Sequence, residues 1–289
     1  MFQNFKKQVF SNNSISINYV MGGSGPPLLL LHGYPQTYFI WHKIASELSE
    51  KYTVVASDLR GYGDSSKPNS DKKHESYSKR VMAKDQVKLM RHLGFDSFLV
   101  AGHDRGGRVG HRMALDYPGV VEKLVLMDIA PTYTMYKTTD MDFAKSYYHW
   151  FFLIQPANIP EMMIGADPEF YLNKKIRQWG KNSDAFTKTA FSEYLRCFTP
   201  ETIRASCEDY RASASIDLEH DQIDIDNNHK ITCPIMVIWG AKGYVGNKYD
   251  IIAEWKKWSK DVRGHDLPCG HYLAEEAPKE TLKALLSFL

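Results

Sequence analysis

The segment Gly102-His103-Asp104-Arg105-Gly106-Gly107 sets an acidic side chain among small residues, where a short apolar run ends and a helical pattern begins. A sharp turn at such a point lifts its central side chain above the sheet, and the glycines allow close backbone approach. Asp104 there is either a helix N-cap, for which Asp is a favoured residue, or a nucleophile. Two residues further along support the second reading. Asp128 follows the run Leu124–Met127, and His271, in Cys269-Gly270-His271-Tyr272, lies between the last strand pattern and the last helical one. The chain order nucleophile, acid, histidine is one that strand-end loops of a parallel sheet can bring together. A neutral His271 would take a proton from water while Asp128 holds its tautomer. His32-Gly33-Tyr34-Pro35, directly after Leu28–Leu31, is either an ordinary Gly-Pro turn or the source of a backbone N–H at Tyr34. With the N–H of Arg105 it would form an oxyanion hole, each donor being worth about 10²–10³ in rate.

Arg105 and Arg108 stand at the start of the helix that follows Asp104, where the helix dipole disfavours cations by a few tenths of a kcal/mol. An anion nearby would offset that cost. Asp104 is one, and a substrate carboxylate, which suits the guanidinium fork, would be another. The competing reading is a surface salt-bridge pair. Arg112, one turn on, reads as structural.

These residues need a scaffold that gathers strand ends. Ser14–Tyr19 alternates as a strand does, and Pro27–Leu31 is a continuous apolar run of the kind buried on both faces of a sheet. Thr53–Ala56, Phe98–Ala101, Leu124–Met127, Ile235–Trp239 and Val262–Leu267 read as further strands. Helical patterns cover Trp41–Leu48, Ser76–Leu93 with Gly94 as a stop, Gly106–Tyr117 before Pro118, Ile251–Trp258, and Pro278–Phe288. Alternating β and α patterns predict an α/β fold with a mostly parallel sheet. The rhythm breaks between Thr132 and Asn228, where aromatic-rich helical segments occur without a strand. A structureless loop of that length is improbable. The expected organisation is therefore a core of residues 1–131 and 229–289, with a helical cap of residues 132–228 inserted after the strand ending near Met127. The cap should lie over the carboxyl ends of the strands, where open α/β sheets bind ligands.

The 289 residues carry 43% hydrophobic and 24% charged side chains and a formal net charge of +2, values that fit a folded globular protein and do not call for nucleic acid or an anionic membrane as partner. The run Leu28–Leu31 is too short to span a bilayer, and the opening MFQNFKKQVF has no signal-peptide core. Cys197, Cys207, Cys233 and Cys269 are widely spaced, as expected of reduced thiols in a cytoplasmic protein. No P-loop, HExxH or EF-hand pattern occurs, Gly22-Gly23-Ser24-Gly25 lacks dinucleotide-loop spacing, and His103 has no partner at metal-ligand spacing. No metal or cofactor is expected. The segment Asp58–Ser65 reads as structural, and Lys72-Lys73 and Lys79-Arg80 as solvated charge.

Taken together the motifs resemble the α/β-hydrolase family over the whole chain. The Asp in place of Ser narrows the resemblance to its dehalogenase and epoxide hydrolase branch. Asp104-Arg105-Gly106-Gly107-Arg108, His149-Trp150 and Cys207-Glu208-Asp209-Tyr210-Arg211 are similar to the fluoroacetate (haloacetate) dehalogenases. That resemblance implies hydrolysis of a small haloacid through an ester on Asp104. It further implies carboxylate binding by Arg105 and Arg108, halide binding by His149, Trp150 and Tyr210, and a homodimer. On pattern alone, Trp150 within Tyr147-Tyr148-His149-Trp150-Phe151-Phe152 reads as aromatic core. The main alternative is an epoxide hydrolase, which needs two cap tyrosines, available in principle among Tyr147, Tyr148, Tyr171, Tyr194 and Tyr210. A haloalkane dehalogenase and a non-catalytic binding descendant are further alternatives. Relatives of the epoxide type usually carry Trp after the nucleophile, and a neutral substrate has no use for two arginines.

Overall fold

The strand patterns pair into one sheet of eight: β1 (Lys6–Asn12), β2 (Ile15–Gly22), β3 (Pro27–Leu31), β4 (Thr53–Ser57), β5 (Phe98–His103), β6 (Val121–Met127), β7 (Ile235–Gly240) and β8 (Val262–Leu267). The structure, a computed structural model, describes residues 2–12 and 15–289. Ser14, the first residue of one expected strand, lies outside the described residues. Strand order is β1-β2-β4-β3-β5-β6-β7-β8. β1, β2 and β4 are antiparallel neighbours, and from β4 to β8 the pairing is parallel.

Parallel strands of this kind are covered on both faces, and successive residues enter different cores. Leu29, Leu31, Val100 and Leu126 join one apolar cluster, while Leu28, Leu30, Ala101, Val125 and Met127 join another. Full burial of each such Leu or Val contributes roughly 1.5–3 kcal/mol. β1 has no such signature: most of its residues are exposed, and backbone pairing to β2 holds it in place. That is why hydrophobic periodicity does not reveal it.

Register aligns the strand ends. Leu31 is opposite Gly102, His103 opposite Met127, Met127 opposite Ile238, and Gly240 opposite Leu267. The residues that follow β3, β5, β6 and β8 therefore emerge along one edge.

Two helices flank the site's strands: α1 (Lys79–His92), capped by the Ser78 hydroxyl, and α2 (Arg105–Asp116). The helix expected over Trp41–Leu48 is instead a 3-10 turn at Tyr38–Trp41 and a single turn at Ala45–Leu48. Two short turns bury Trp41, Ile44, Ala45 and Leu48 as well as one helix would. Between β6 and β7 the described residues form helices and no strand, from Thr132–Lys137 to Ile216–Asp226. They include α3 (Tyr148–Phe152), α4 (Pro168–Trp179) and α5 (Pro200–Ser213). Pro in the first turn and side-chain caps from Asp167 and Thr199 start α4 and α5, as their sequences dictate. Trp150, Leu153, Ile176, Tyr194 and Tyr210 from this insertion share one apolar cluster with Leu29, Leu31 and Val100 of the sheet. α6 (Pro278–Phe288) closes the chain. Among the described residues no helix is long and apolar enough to cross a membrane. The four cysteines are free and buried.

Candidate active site

Asp104 joins β5 to α2 with φ 45° and ψ −112°, a backbone conformation that costs a non-glycine residue of order 1–3 kcal/mol and needs support from its surroundings. Glycines supply that support. A Cβ on Gly102 would stand 2.5 Å from the Gly106 carbonyl oxygen, one on Gly106 2.5 Å from that of His32, and one on Gly33 2.5 Å from the Asp104 Cβ. The Asp104 N–H donates to the Met127 carbonyl at 3.1 Å. Its side chain makes no capping hydrogen bond. Instead Oδ2 accepts the Tyr34 N–H at 3.1 Å, which leaves Oδ1 without that restraint. The Arg105 N–H opens α2, where a helix has no internal acceptor to offer.

Asp128 also takes a left-handed φ, 53°. Its N–H donates to the Ile238 carbonyl at 2.8 Å, Oδ1 accepts the Gly240 N–H at 3.0 Å, and Oδ2 lies 2.6 Å from Nδ1 of His271. That bond assigns the proton to Nδ1 and leaves the Nε2 lone pair free. Burial pushes the His271 imidazole towards its neutral form, but the hydrogen bond and charge of Asp128, with Asp104 behind them, outweigh it and raise its pKa above the usual value. Burial likewise raises the Asp104 carboxyl, and the positive charges of His271, Arg108 and Arg105 overcome it, so that the net direction is down. The net direction favours an ionised Asp104 carboxylate.

The two arginines are buried, yet they differ. Arg105 is held by Asp209: Nε donates to Oδ2 at 2.8 Å and Nη2 to Oδ1 at 2.7 Å, with Ser213 Oγ also at 2.5 Å from Nη2. Only Nη1 is left without a partner. Arg108 makes no ion pair among the described residues. Its Nη1 donates to the Ala130 carbonyl at 3.1 Å and to Thr132 Oγ1 at 2.7 Å, and its Nε has no partner. Neither arginine belongs to a surface salt bridge.

An aromatic roof covers both. The Tyr210 ring lies 4.2 Å from the Arg105 guanidinium carbon and the Trp150 ring 4.8 Å from that of Arg108, contacts that favour a cation. His149 is 5.7 Å and Trp150 6.4 Å from the Tyr210 ring, centre to centre. The structure thus gathers His149, Trp150 and Tyr210 around the arginines beside Asp104. Burial, reinforced by the charges of Lys175 and His271, keeps the His149 imidazole neutral, and its Nδ1 has no partner. A cleft of about 370 Å³ leads from solvent to Asp128 and His271, between Tyr147, Trp179, Lys181 and Lys242.

Several residues have roles that no local sequence pattern announces. Asp209 is shared by Arg105, the Tyr62 hydroxyl and Lys79. Lys79, expected in solvent, is 4% exposed because Asp209 and Asp217 both need a cation there. His103 donates from Nε2 to the His271 carbonyl at 2.7 Å; burial, with the charge of His271, pushes it down to about 3, so it is a neutral brace. Trp179 stands 4.4 Å from His149 and 5.7 Å from His271, ring to ring. Partners so far apart along the chain leave no local pattern. Arg112 bonds to Asp221 and Asp224 and Arg60 to Asp85, the structural roles expected of them.

Residues 26–278 match the model of the alpha/beta hydrolase fold family. Over its full length the chain is 43% identical to a fluoroacetate dehalogenase of Burkholderia sp, covering 95% of that protein. It is 33% identical to a soluble epoxide hydrolase of Corynebacterium sp. strain C12, covering 96% of this chain and 94% of the relative. A crystal structure from Nostoc sp PCC 7120, described as that of an alpha/beta hydrolase, superposes with a TM-score of 0.98 at 58% identity, covering 100% of this chain and 99% of the other. With the parallel sheet, the strained turn between β5 and α2, and the insertion between β6 and β7, these similarities place the chain in the α/β-hydrolase family.

Proposed function

We propose that this protein hydrolyses short 2-haloacids, taking fluoroacetate or another haloacetate to glycolate and halide through an ester on Asp104. The observation that carries this reading is the Arg108 guanidinium, buried without an ion-pair partner among the described residues and close to the Asp104 carboxylate. An unpaired buried cation is costly, and a substrate carboxylate would satisfy it together with the free Nη1 of Arg105. The same two cations would offset repulsion between Asp104 and an anionic substrate. The 43% identity to a fluoroacetate dehalogenase supports the reading.

In the proposed reaction Asp104 Oδ1 attacks the halogen-bearing carbon as halide leaves with the bonding pair. A carboxylate is already ionised at neutral pH, whereas Ser would have to lose a proton during the attack. His149, Trp150 and Tyr210 would replace part of the water that hydrates a departing fluoride. His271 Nε2 then takes a proton from a water whose oxygen adds to the Asp104 carboxyl carbon. The resulting oxyanion sits on Oδ2, held by the N–H groups of Tyr34 and Arg105. Its collapse expels glycolate, which recovers the proton from His271, and leaves Asp104 as the acid, whose remaining proton passes by way of His271 to solvent and restores the carboxylate.

The similarity to an epoxide hydrolase supports a second reading, opening of an epoxide by the same carboxylate. Of the tyrosines it could use, the Tyr194 hydroxyl is committed to Glu275 at 2.5 Å, while that of Tyr171 accepts from the Tyr34 hydroxyl at 3.4 Å and keeps its own proton to donate. An ion-electrode assay with fluoroacetate, chloroacetate and styrene oxide separates the two. Halide released in step with glycolate, and an unopened epoxide, is the expected result; epoxide opening without halide release would establish the second reading instead.

A further inference from the structure

The loop that carries His271 is held by backbone hydrogen bonds on both sides of the histidine, and one side chain takes the N–H groups of both its neighbours. Glu276, at the end of the one-turn helix Leu273–Glu276, accepts the Gly270 N–H at 3.1 Å and the Lys181 N–H at 2.7 Å on Oε2. On Oε1 it accepts the Tyr272 N–H at 2.9 Å. The residues on either side of His271 are thus tied to the same carboxylate. So is Lys181, two residues beyond the end of α4. The His271 N–H donates to the Trp179 carbonyl at 3.1 Å, from the last turn of that helix. Backbones touch here: a Cβ on Gly270 would stand 2.6 Å from the Trp179 oxygen and 2.9 Å from the Lys181 nitrogen.

We propose that Glu276 is a positioning residue for the hydrolytic half of the reaction, stapling both flanks of His271 to the end of helix α4 in the insertion. The inference rests on the reaction proposed above. A carboxylate suits the task because both of its oxygens only accept. Glutamine would present an NH2 group to at least one of the three N–H donors, so one flank of His271 or the tie to Lys181 would be lost. Placement of the base matters steeply, since a displacement of about 1 Å can cost on the order of 10²-fold in rate. The two half-reactions feel this differently. Attack by Asp104 needs no proton removed, whereas hydrolysis of the ester needs Nε2 aimed at the water. Loss of the staple therefore slows the second step and spares the first, a pattern that a brace serving only folding would not produce.

The test is rapid-quench halide release from chloroacetate with wild type, Glu276→Gln and Glu276→Asp, with mass measurement of the Asp104 peptide. For Glu276→Gln the expected result is a halide burst of about one per site, an approximately 10–100-fold slower steady rate and accumulated ester on Asp104. kcat and KM should fall together so that kcat/KM is kept. Glu276→Asp keeps the charge but is too short to reach both flanks, so the same burst is expected should the glutamine variant not fold. A steady rate within twofold of wild type in the folded variants, or a slower rate with neither burst nor ester, overturns the staple. A wild type that releases no halide overturns instead the reaction on which the staple rests.

Discussion

A buried guanidinium with three neutral acceptors, one of them a thioether sulfur, and no carboxylate partner among the described residues is an unfinished interaction, and Arg108 is in that state. Its neighbour Arg105 has its counter-ion in Asp209, so the two arginines, indistinguishable in sequence, divide the work: Arg105 is anchored and offers one N–H, while Arg108 offers its net charge. Removing the charged partner of a bound, buried anion typically costs about 2–5 kcal/mol. Arg108→Met should therefore lower kcat/KM for chloroacetate by about 10²–10³, equivalent to roughly 2.7–4 kcal/mol, and chloroacetamide by less than about tenfold. Equal losses on both substrates, compared in parallel halide assays, would deny Arg108 its carboxylate. The His271 and Asp104 shifts point opposite ways and predict different pH limbs for the two half-reactions. Hydrolysis needs neutral His271, so kcat should fall as pH drops through its raised pKa. Alkylation needs ionised Asp104, whose pKa is depressed, so single-turnover halide release should persist to lower pH. Stopped-flow and steady-state profiles measured side by side check this, and coincident limbs would contradict it. At this scale Asp104, Asp128, His271 and the arginines were legible from type and position. The counter-ion role of Asp209, which lies in the motif at 207–211, and the roles of Lys79, His103 and Trp179 were not, because each acts through partners distant along the chain.

At the scale of elements, the site is a consequence of register. Leu31, His103 and Met127 end β3, β5 and β6 within one residue of one another in register, which brings Tyr34, Asp104 and Asp128 to one edge before any side chain is placed. Continuous apolar runs announce the buried strands, and every one of them was readable. The edge strand β1 was not, since pairing alone holds it, and the expected helix near Trp41 dissolved into two turns that bury the same residues. The turn at Asp104 depends on absent side chains. Gly106→Ala would force a methyl against the His32 carbonyl, and overpacking of this kind costs about 1–3 kcal/mol. The variant should unfold at lower urea with an unchanged slope and lose halide release by more than about tenfold, since a displaced Asp104 loses its in-line aim. A urea midpoint and halide assay matching wild type would show that the glycine is dispensable.

Over the whole molecule the insertion is not a loose lid. It shares an apolar cluster with the sheet, roofs the arginines with Tyr210 and Trp150, and ties itself to the His271 loop through Trp179 and Lys181. The existence and position of the insertion were legible as a break in β-α alternation. Its packing was not, because aromatic-rich helical segments read alike whether they line a site or fill a core. The enclosure gives the chemistry its setting: a carboxylate, two cations and a histidine under aromatic cover, reached by a cleft at Asp128 and His271. In the proposed mechanism Asp104 becomes covalently bound to carbon and is freed by water attacking its own carboxyl carbon. Turnover of chloroacetate in H2¹⁸O, followed by mass analysis of the peptide containing Asp104, tests it most directly. Many turnovers should leave ¹⁸O in the Asp104 carboxylate, and a single turnover should yield glycolate whose new hydroxyl is unlabelled. An unlabelled peptide with ¹⁸O in the first glycolate formed would mean that water attacks the substrate carbon and no ester forms on Asp104.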